Sequence, residues 1–269
     1  MITNFHYSNA QMKKESFPTY TGKDLGLTYS PLQSKFRIWA PTASRVQLKL
    51  YQQAQGGTAL KTSYLTKTQN GTWTTLLTGN QLGIYYTFSI EYNGKWLDEV
   101  PDPYAKAVGI NGTRAMIVDL KKTNPTGWEK DKGPVLKNTT DAVVYELHVR
   151  DASIAANSGI QHKGKFLGLT ETGTKNNEGL STGLDHLTDL GVTHIHLLPF
   201  FDYYSDEDAK NFKENYNWGY NPQNYNVPEG TYATDAANGN VRIKELKQLV
   251  LAFHKKGLGV VMDVVYNHT

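Results

Sequence analysis

Residues 257–268 read GLGVVMDVVYNH, an apolar run of strand length that ends in polar side chains. Four apolar residues ahead of this run are spaced by three, four and three positions, which places them on one face of a helix. They are Ile243, Leu246, Val250 and Phe253. Gly257 then offers the left-handed backbone that commonly ends a helix. This stretch therefore predicts a helix followed by a buried strand.

The same order of elements precedes this stretch. Ala142–Val149 and Thr193–Phe200 are apolar runs of strand length, and three leucines at helical spacing lie between them. Those leucines are Leu184, Leu187 and Leu190, and Gly191 follows as the expected end of their helix. Strands that alternate with helices predict a parallel sheet. A (β/α)8 barrel takes about 250 residues. Residues 141–269 are about half of that, and we predict an incomplete TIM barrel with its first three βα units.

Residues 20–120 show a period of two instead of a helical period. Val46, Leu48 and Leu50 alternate with polar residues, and Ile84–Ile90 alternates in the same way, as half-buried strands do. Asn93-Gly94 favours a two-residue type I′ turn. This region therefore predicts a small all-β sandwich.

The remaining segments are interpreted from their polarity. Residues 121–140 are polar and contain two prolines and two glycines, which is typical of a linker. Residues 1–19 are unpatterned, and we expect a flexible N-terminus. The long stretch from Phe201 to Asn240 exceeds the usual length of a loop, and such loops tend to carry function.

Three polar residues end the third predicted barrel strand. Asp263, Asn267 and His268 supply a carboxylate, an amide and an imidazole. Ligands bind at the carboxyl ends of barrel strands, and these groups can hydrogen-bond sugar hydroxyls. The alternative is that the three side chains only cap the turn after the strand.

A second candidate lies in the long loop, where residues 216–222 read YNWGYNP. Three aromatic residues fall within five positions, beside a glycine that allows a tight backbone and a proline that fixes a turn. A rigid aromatic loop beside a strand end would make a platform for a sugar ring. The alternative is a loop that packs its own aromatic rings against the rim of the barrel.

Composition excludes several classes of function. There are no cysteines, so disulfides, thiolate metal sites and cysteine nucleophiles are excluded. The net charge of +3 is spread along the chain and indicates no nucleic-acid partner. The apolar runs are too short to span a membrane. The first residues lack the pattern of a secretory signal, so we expect a cytoplasmic protein. The oligomeric state is unknown.

The motifs together resemble the type I pullulanases of the α-amylase superfamily, glycoside hydrolase family thirteen. MDVVYNHT resembles the first signature region of that superfamily, and YNWGYNP resembles the YNWGYDP motif of type I pullulanases. Five further segments are similar in the same order, and the resemblance covers roughly residues 20–269. They are DPYAKAVGINGTRAMIVDL, VVYELHVRD, KGKFLGLTE, HLLPFFDYYSDE and NYNVPEGTY. The first of them resembles the segment that leads from the family's sandwich toward its barrel, so the resemblance implies a starch-module or immunoglobulin-like sandwich over residues 20–120. Two positions depart from the family pattern: Asn221 replaces an aspartate, and Ala152 replaces a phenylalanine.

The resemblance implies a debranching glycosidase that hydrolyses α-1,6-glucosidic bonds with retention, acting on pullulan, limit dextrins or glycogen. It implies that Tyr220 lies beneath the sugar to be cleaved, that Trp218 lies nearby, and that His268 bonds its hydroxyls. Asp263 would support the cleft and Asn267 would hold the loop. The partner is an α-glucan, and no cofactor is implied beyond a possible structural calcium ion.

The resemblance also places the family's nucleophile, general acid and third carboxylate after Thr269. We therefore assign no catalytic residue here, and we expect a polypeptide of residues 1–269 to be inactive and poorly folded in its C-terminal half. Alternative functions are a non-catalytic α-glucan-binding protein and another debranching member of the superfamily. In the sandwich, Trp39, Trp73 and Trp96 are possible sugar platforms, with packing as the alternative role.

Overall fold

Two antiparallel sheets form the N-terminal half of the protein in the computed structural model, which describes residues 16–207 and 216–266. One sheet has the strand order β1-β2-β6-β5, and the other has the order β4-β3-β7-β8 with β9 also paired to β7. The strands are β1 (Gly26–Ser30), β2 (Gln33–Trp39), β3 (Arg45–Tyr51), β4 (Lys61–Tyr64), β5 (Thr66–Lys67), β6 (Thr72–Thr78), β7 (Tyr85–Tyr92), β8 (Lys95–Trp96) and β9 (Ala115–Met116).

The core of this sandwich comes from the alternation seen in the sequence. Val46, Leu48 and Leu50 of β3 are buried between the sheets, where they meet Phe36 and Ile38 of β2. The turn between β7 and β8 has positive φ at both central residues, Asn93 (50°) and Gly94 (74°), as a type I′ turn requires. The predicted hairpin is therefore confirmed.

Strand β7 differs from its prediction as a half-buried strand, because both of its faces are covered. Tyr86 and Phe88 point into the sandwich core, whereas Thr87, Ser89 and Glu91 on the opposite face are also buried. Thr87 Oγ1 donates to Glu99 at 2.6 Å, and Ser89 Oγ donates to the carbonyl oxygen of Leu97 at 2.7 Å. The segment after β8 folds back over this face, which alternation within β7 alone does not reveal.

The three tryptophans proposed as sugar platforms have different environments. Trp73 is 5% exposed and donates its indole N–H to the carbonyl oxygen of Ala40 at 2.9 Å, so it is a core residue rather than a platform. The guanidinium of Arg45 lies 5.2 Å from the centre of the Trp96 ring. Trp39 remains 42% exposed.

The second half of the protein, within the described residues, contains a sheet of three parallel strands, two α-helices and a further pair of antiparallel strands. The strand order is β10-β11-β14, and Ile195 of β11 pairs with Tyr145 on one side and Val260 on the other. The elements are β10 (Val144–Leu147), α1 (Gly183–Asp189), β11 (His194–Leu197), β12 (Phe201–Tyr203), β13 (Pro222–Pro228), α2 (Gly239–Lys255) and β14 (Gly259–Met262). The parallel strands are shorter than the apolar runs that predicted them.

Both outer strands of this sheet carry exposed apolar side chains. Val143, Val144 and Tyr145 are 42–54% exposed at β10, and Val261 and Val264 are 37% and 42% exposed at β14. Val260 and Val265 are half-buried. Two of the four valines at the third strand are therefore exposed, and the first strand has exposed apolar side chains as well.

The long segment after β11 has secondary structure of its own. Strands β12 and β13 pair in antiparallel fashion, with Asp202 opposite Asn224. Six short 3-10 turns complete the described elements: Gln69–Gly71, Ile110–Gly112, Leu120–Thr123, Trp128–Lys130, Thr139–Asp141 and Phe166–Thr170. No helix in residues 16–207 and 216–266 is long and apolar enough to cross a membrane.

Helix α2 lies between the parallel sheet and the sandwich. Its residues Leu249 and Phe253 are fully buried against the parallel sheet, whereas Ile243 packs with Tyr85 and Met116 of the sandwich. The helix therefore has two apolar contact surfaces, and the single face predicted from its sequence describes only part of its burial.

The segment predicted as a linker is attached to α2. Lys247 Nζ donates to Thr123 Oγ1 at 2.8 Å and to Asn124 Oδ1 at 2.6 Å, and His254 Nδ1 lies 2.6 Å from Asp131 Oδ2. Its polar residues bind the helix surface, which limits the independent movement that a polar linker would otherwise permit.

A buried cluster of charges joins the two halves. Arg242 of α2 is 0% exposed, and its guanidinium contacts Asp202 Oδ1 at 2.8 Å and Glu207 Oε2 at 2.6 Å. It also donates to the carbonyl oxygen of Gly109 in the sandwich at 2.8 Å. Glu229, also fully buried, completes a group of three carboxylates around one arginine.

Burial raises the pKa of each carboxyl group in this charge cluster. The pKa of Asp202 rises to about 7 and that of Glu207 to about 8, because desolvation outweighs the opposing effect of Arg242. The pKa of Glu229 is also raised by burial. Glu207 Oε1 is buried and has no hydrogen-bond partner among the described residues.

Candidate functional site

The carboxyl ends of the three parallel strands bring two carboxylates and an imidazole into one row. Glu146 of β10 pairs in register with His196 of β11, and Asp263 follows β14. His196 Nδ1 lies 3.7 Å from Glu146 Oε2, and its Nε2 lies 3.6 Å from Asp263 Oδ2. The row therefore spans the edge of the sheet at which barrel enzymes bind their ligands.

Tyr220 of the aromatic loop reaches this row. Its hydroxyl donates to Asp263 Oδ2 at 2.6 Å, although 43 residues separate the two in sequence. Loss of solvation, together with this hydrogen bond, raises the pKa of Tyr220 to about 12, so the phenol stays protonated and remains a donor at neutral pH. The contact joins the two sequence motifs that we identified separately.

The aromatic loop is held in place by polar contacts beneath it. His148 is buried, and its Nε2 lies 2.9 Å from the carbonyl oxygen of Asn217 and 3.0 Å from the hydroxyl of Tyr232. Its Nδ1 accepts the backbone N–H of Asp151 at 3.3 Å, so the proton is on Nε2 and the donor faces the loop. His148 thus fixes the loop to the first barrel strand.

Gly219 has a backbone that other residues would strain. Its φ is +88°, and a Cβ atom at this position would lie 2.8 Å from the carbonyl oxygen of Pro199. Gly219 N–H also donates to Asn217 Oδ1 at 2.9 Å. The backbone of the loop therefore packs closely against the residues that follow β11. This packing fixes the backbone from which the Tyr220 side chain extends.

Asn221, one of the two departures from the family motif, has a clear role here. Its Nδ2 donates to the carbonyl oxygen of Tyr204 at 3.1 Å, and Asn217 Nδ2 donates to the same oxygen at 3.0 Å. An ionised aspartate has no donor for this bond. The second departure, Ala152, lines a cavity of about 280 Å³ beside Leu147 and Leu187.

The predicted site residues have the following positions. Tyr220 and Asp263 are in direct contact, and Trp218 is 60% exposed beside Tyr216, with ring centres 6.4 Å apart. Asn267 and His268 lie outside the described residues. The roles assigned to all five residues stay predictions.

Sequence reasoning missed three residues of this site. Glu146 and His196 each occupy the third position of a strand, and a polar residue flanked by apolar ones was the available signal. His148 was missed because its hydrogen bonds reach Asn217 and Tyr232, far along the chain. Only the tertiary structure brings those partners together.

The charge cluster around Arg242 is the one described group with the composition of a metal site. One oxygen from each of Asp202, Glu207 and Glu229 lies within 4.8 Å of the others. The guanidinium of Arg242 contacts two of these carboxylates, those of Asp202 and Glu207. The donor set therefore fits an arginine-centred ion cluster, in which the guanidinium supplies the positive charge that a cation would bring.

Two family models match the chain in the order of its two halves. Residues 24–105 match carbohydrate-binding module 48, the isoamylase N-terminal domain, and residues 159–269 match the alpha amylase catalytic domain. The predicted sandwich followed by an incomplete catalytic barrel is confirmed by these matches.

Similar proteins carry the same combination. The pullulanase of Bacillus subtilis strain 168 is 39% identical over 249 residues, which are 93% of this chain and 33% of that protein. The crystal structure of the apo pullulanase from Paenibacillus barengoltzii is 52% identical with a TM-score of 0.89, covering 93% of this chain and 38% of that one. The complex of the same enzyme with maltohexaose and α-cyclodextrin is 51% identical, with a TM-score of 0.88 and coverage of 93% and 39%. This chain therefore spans about a third of the length of these relatives.

Proposed function

Because the chain belongs to the pullulanase group of the α-amylase superfamily, we propose that it provides the sandwich and the first barrel strands of an enzyme that debranches α-glucans. The reaction is retaining hydrolysis of α-1,6-glucosidic bonds in pullulan, limit dextrins or glycogen. The observation that carries the proposal is the contact between Tyr220 and Asp263, which places an aromatic ring and a carboxylate together at the strand ends.

In this proposal the ring of Tyr220 stacks beneath the glucose unit whose bond is cleaved. Its hydroxyl is held by Asp263, which stops the ring from rotating away and keeps it in one orientation. Trp218, exposed beside it, extends the apolar surface toward the next sugar. His268 bonds hydroxyls of the same glucose, and Asn267 holds the loop that carries it.

The roles proposed for these residues are to bind and orient the glucan, and cleavage of the glucosidic bond requires further groups. Retaining glycosidases use a nucleophile and an acid about 5–5.5 Å apart. Asp263 is occupied by Tyr220 and faces His196, which suits support of the cleft and not attack on a sugar. The reaction itself is therefore a property of a longer polypeptide that includes these residues.

Tyr220→Ala is expected to lower kcat/KM on pullulan about 100-fold in a polypeptide that contains this chain and the remaining barrel strands. Loss of the ring removes both the stacking surface and the partner of Asp263, and a 100-fold loss corresponds to about 2.7 kcal/mol. Tyr220→Phe keeps the ring and loses only the hydroxyl, so a loss of about tenfold is expected. The measurement is the release of reducing ends at several pullulan concentrations.

Tyr92→Ala is the matched control, since Tyr92 is 44% exposed and lies on the sandwich strand β7. It should leave the kinetics unchanged, and thermal unfolding should show that all three variants are folded. Parent-like kinetics for Tyr220→Ala would reject the assigned role. Failure of the parent to release any product from pullulan would reject the proposed substrate.

A further inference from the structure

His196 occupies the centre of the row of polar side chains at the strand ends. It is the third residue of β11, the middle strand of the parallel sheet, and it pairs with Glu146 on one side and Val261 on the other. Its neighbours Ile195 and Leu197 are fully buried in the apolar core. Because successive side chains of a strand point to opposite faces, the His196 ring lies on the other, polar face, where its side chain is 29% exposed.

Each ring nitrogen of His196 faces a different carboxylate. Nδ1 lies 3.7 Å from Glu146 Oε2, and Nε2 lies 3.6 Å from Asp263 Oδ2. These distances belong to electrostatic contacts and not to direct hydrogen bonds. A protonated imidazole carries an N–H on both nitrogens, so this form interacts favourably with both carboxylates. The ring thus links the first barrel strand to the third.

Asp263 Oδ2 has two partners at once. The oxygen that lies 3.6 Å from His196 Nε2 also accepts the hydroxyl of Tyr220 at 2.6 Å. The backbone of Asp263 is held separately, since its N–H donates to the carbonyl oxygen of Leu197 at 3.2 Å. The remaining freedom of Asp263 is rotation of its side chain, and the contacts with His196 and Tyr220 both restrict that rotation.

The charges of the row also act on Tyr220. Loss of solvation and the hydrogen bond and charge of Asp263 raise the pKa of Tyr220, and the charge of Glu146 adds to the rise. The two carboxylates are therefore close enough to act on one phenol, and the imidazole lies between them. Without the imidazole, the repulsion between Glu146 and Asp263 is uncompensated, and the Asp263 side chain is free to rotate toward solvent.

A different histidine holds the backbone of the aromatic loop. His148 Nε2 lies 2.9 Å from the carbonyl oxygen of Asn217, three residues before Tyr220. That contact fixes where the loop lies, whereas the hydroxyl end of the Tyr220 ring is held by Asp263. The ring therefore has two supports, and His196 is in contact with the second of them.

From this arrangement we propose that His196 is a positioning residue of the strand-end site, which keeps Asp263 Oδ2 where it accepts the Tyr220 hydroxyl. Its importance for the reaction rests on the proposed function, in which the Tyr220 ring stacks beneath the glucose unit whose bond is cleaved. His196 does not contact the sugar, and its effect on the reaction is transmitted through Asp263 to Tyr220.

His196→Leu should lower kcat/KM on pullulan about tenfold in a polypeptide that contains this chain and the remaining barrel strands, as Tyr220→Phe does. Both changes remove the same hydrogen bond, so adding His196→Leu to Tyr220→Phe should cause less than about a twofold further loss. His196→Gln keeps an N–H donor and should retain at least about half of the parent's kcat/KM. The release of reducing ends measures the parent and all four variants.

His194→Leu is the matched control, because His194 lies on the same strand and the same face but at the opposite end, where its Nδ1 lies 2.8 Å from Thr193 Oγ1. It should leave the kinetics unchanged, and thermal unfolding should show that every variant is folded. The positioning role is overturned if His196→Leu has parent-like kinetics or if His196→Gln loses as much activity as His196→Leu. A full tenfold further loss in the Tyr220→Phe background would also overturn it.

A crystal structure of the His196→Leu variant distinguishes the positioning role from the proposed function. The distance between the Tyr220 hydroxyl and Asp263 Oδ2, which is 2.6 Å here, should exceed about 3.5 Å in this variant and stay within hydrogen-bond distance in His194→Leu. An unchanged distance in His196→Leu overturns the positioning role whatever the kinetics. If the parent releases no product from pullulan but the distance increases in the variant, the proposed substrate is rejected and the positioning role is supported.

Discussion

Arg242→Met is expected to lower the free energy of unfolding by about 3–5 kcal/mol, because it removes the positive charge from a buried group of carboxylates. Asp202, Glu207 and Glu229 are all buried around the guanidinium, and each would lose its compensating charge. Methionine fills a similar length of the cavity, so the loss reflects charge and hydrogen bonding more than packing. A change of this size is a large part of the total stability of about 5–15 kcal/mol that domains have.

The change should also loosen the junction between the two halves of the protein. Arg242 donates to the carbonyl oxygens of Gly109 at 2.8 Å and Ala236 at 2.7 Å, and Gly109 belongs to the sandwich side. Those carbonyl oxygens would stay buried without the charged donor, which adds to the cost. We expect urea unfolding to lose cooperativity in this variant, with the parallel sheet unfolding before the sandwich.

Lys35→Met is the matched control. Lys35 pairs with Asp24 at 3.1 Å, the two side chains are 42% and 34% exposed, and exposed ion pairs contribute about 0–1 kcal/mol. Urea unfolding followed by circular dichroism measures both variants. If Arg242→Met is no more destabilising than Lys35→Met, the charge cluster does not stabilise the fold as argued. Above pH 8, adding Glu207→Gln to Arg242→Met should recover part of the loss, since position 207 can then no longer carry an unpaired buried charge.

Much of the architecture could be predicted because its determinants are local. The alternation of Val46, Leu48 and Leu50 needs only the geometry of one strand, and the Asn93-Gly94 turn needs only two residues with positive φ. The helix predicted from the spacing of Ile243, Leu246, Val250 and Phe253 is present as α2. Its buried residues also include Leu249 and Leu251, which the predicted set does not contain.

The features that could not be predicted depend on partners far along the chain. The outer face of β7 is buried because residues 95–102 and α2 cover it, and no pattern within Tyr85–Tyr92 reports that cover. Arg242 lies on a helix whose apolar spacing is regular, so its burial follows only from three carboxylates contributed by other segments.

The candidate site also combines features that the local sequence predicts with features that depend on partners far along the chain. The motifs containing Tyr220 and Asp263 are recognisable separately, because each is a short run with an unusual composition. Their hydrogen bond spans 43 positions, and His148, which supports the loop, is bonded to Asn217, 69 positions away. The residues proposed to bind the sugar are thus marked by the local sequence, whereas the residues that orient them are identified only from the assembled sheet.

Raising the pH from 5 to 8 should destabilise the protein by several kcal/mol, and the charge cluster is the physical cause. In an unfolded chain the carboxyl groups of Asp202 and Glu207 ionise near pH 4. In the folded protein burial raises the pKa of Asp202 to about 7 and that of Glu207 to about 8. Folding therefore favours the protonated forms, and their contribution is complete below about pH 4 and is lost as the pH rises through 7 and 8.

Folding lowers the pKa of other carboxyl groups, so their effect on the pH dependence of stability has the opposite sign and occurs at lower pH. The hydrogen bond from Arg45 lowers the pKa of Glu91, and the backbone N–H of Gly173 lowers that of Asp185. Their contribution is present above about pH 4 and is lost as the pH falls below it. The two sets together predict a maximum of stability on the acid side of neutrality, near pH 5, instead of a plateau that extends to pH 8.

Urea unfolding at intervals between pH 4 and pH 9 measures this dependence, and Glu207→Gln identifies its source. The variant cannot ionise at position 207, so its free energy of unfolding should fall less between pH 5 and 8 than that of the parent. Each unit by which folding raises a pKa is worth about 1.4 kcal/mol, so the two curves should diverge by more than that above pH 7. All other ionisable groups are the same in both proteins, so their contributions cancel in the difference between the two curves. Parallel curves would show that Glu207 is ionised in the folded protein at neutral pH, and that Arg242 fully compensates its burial.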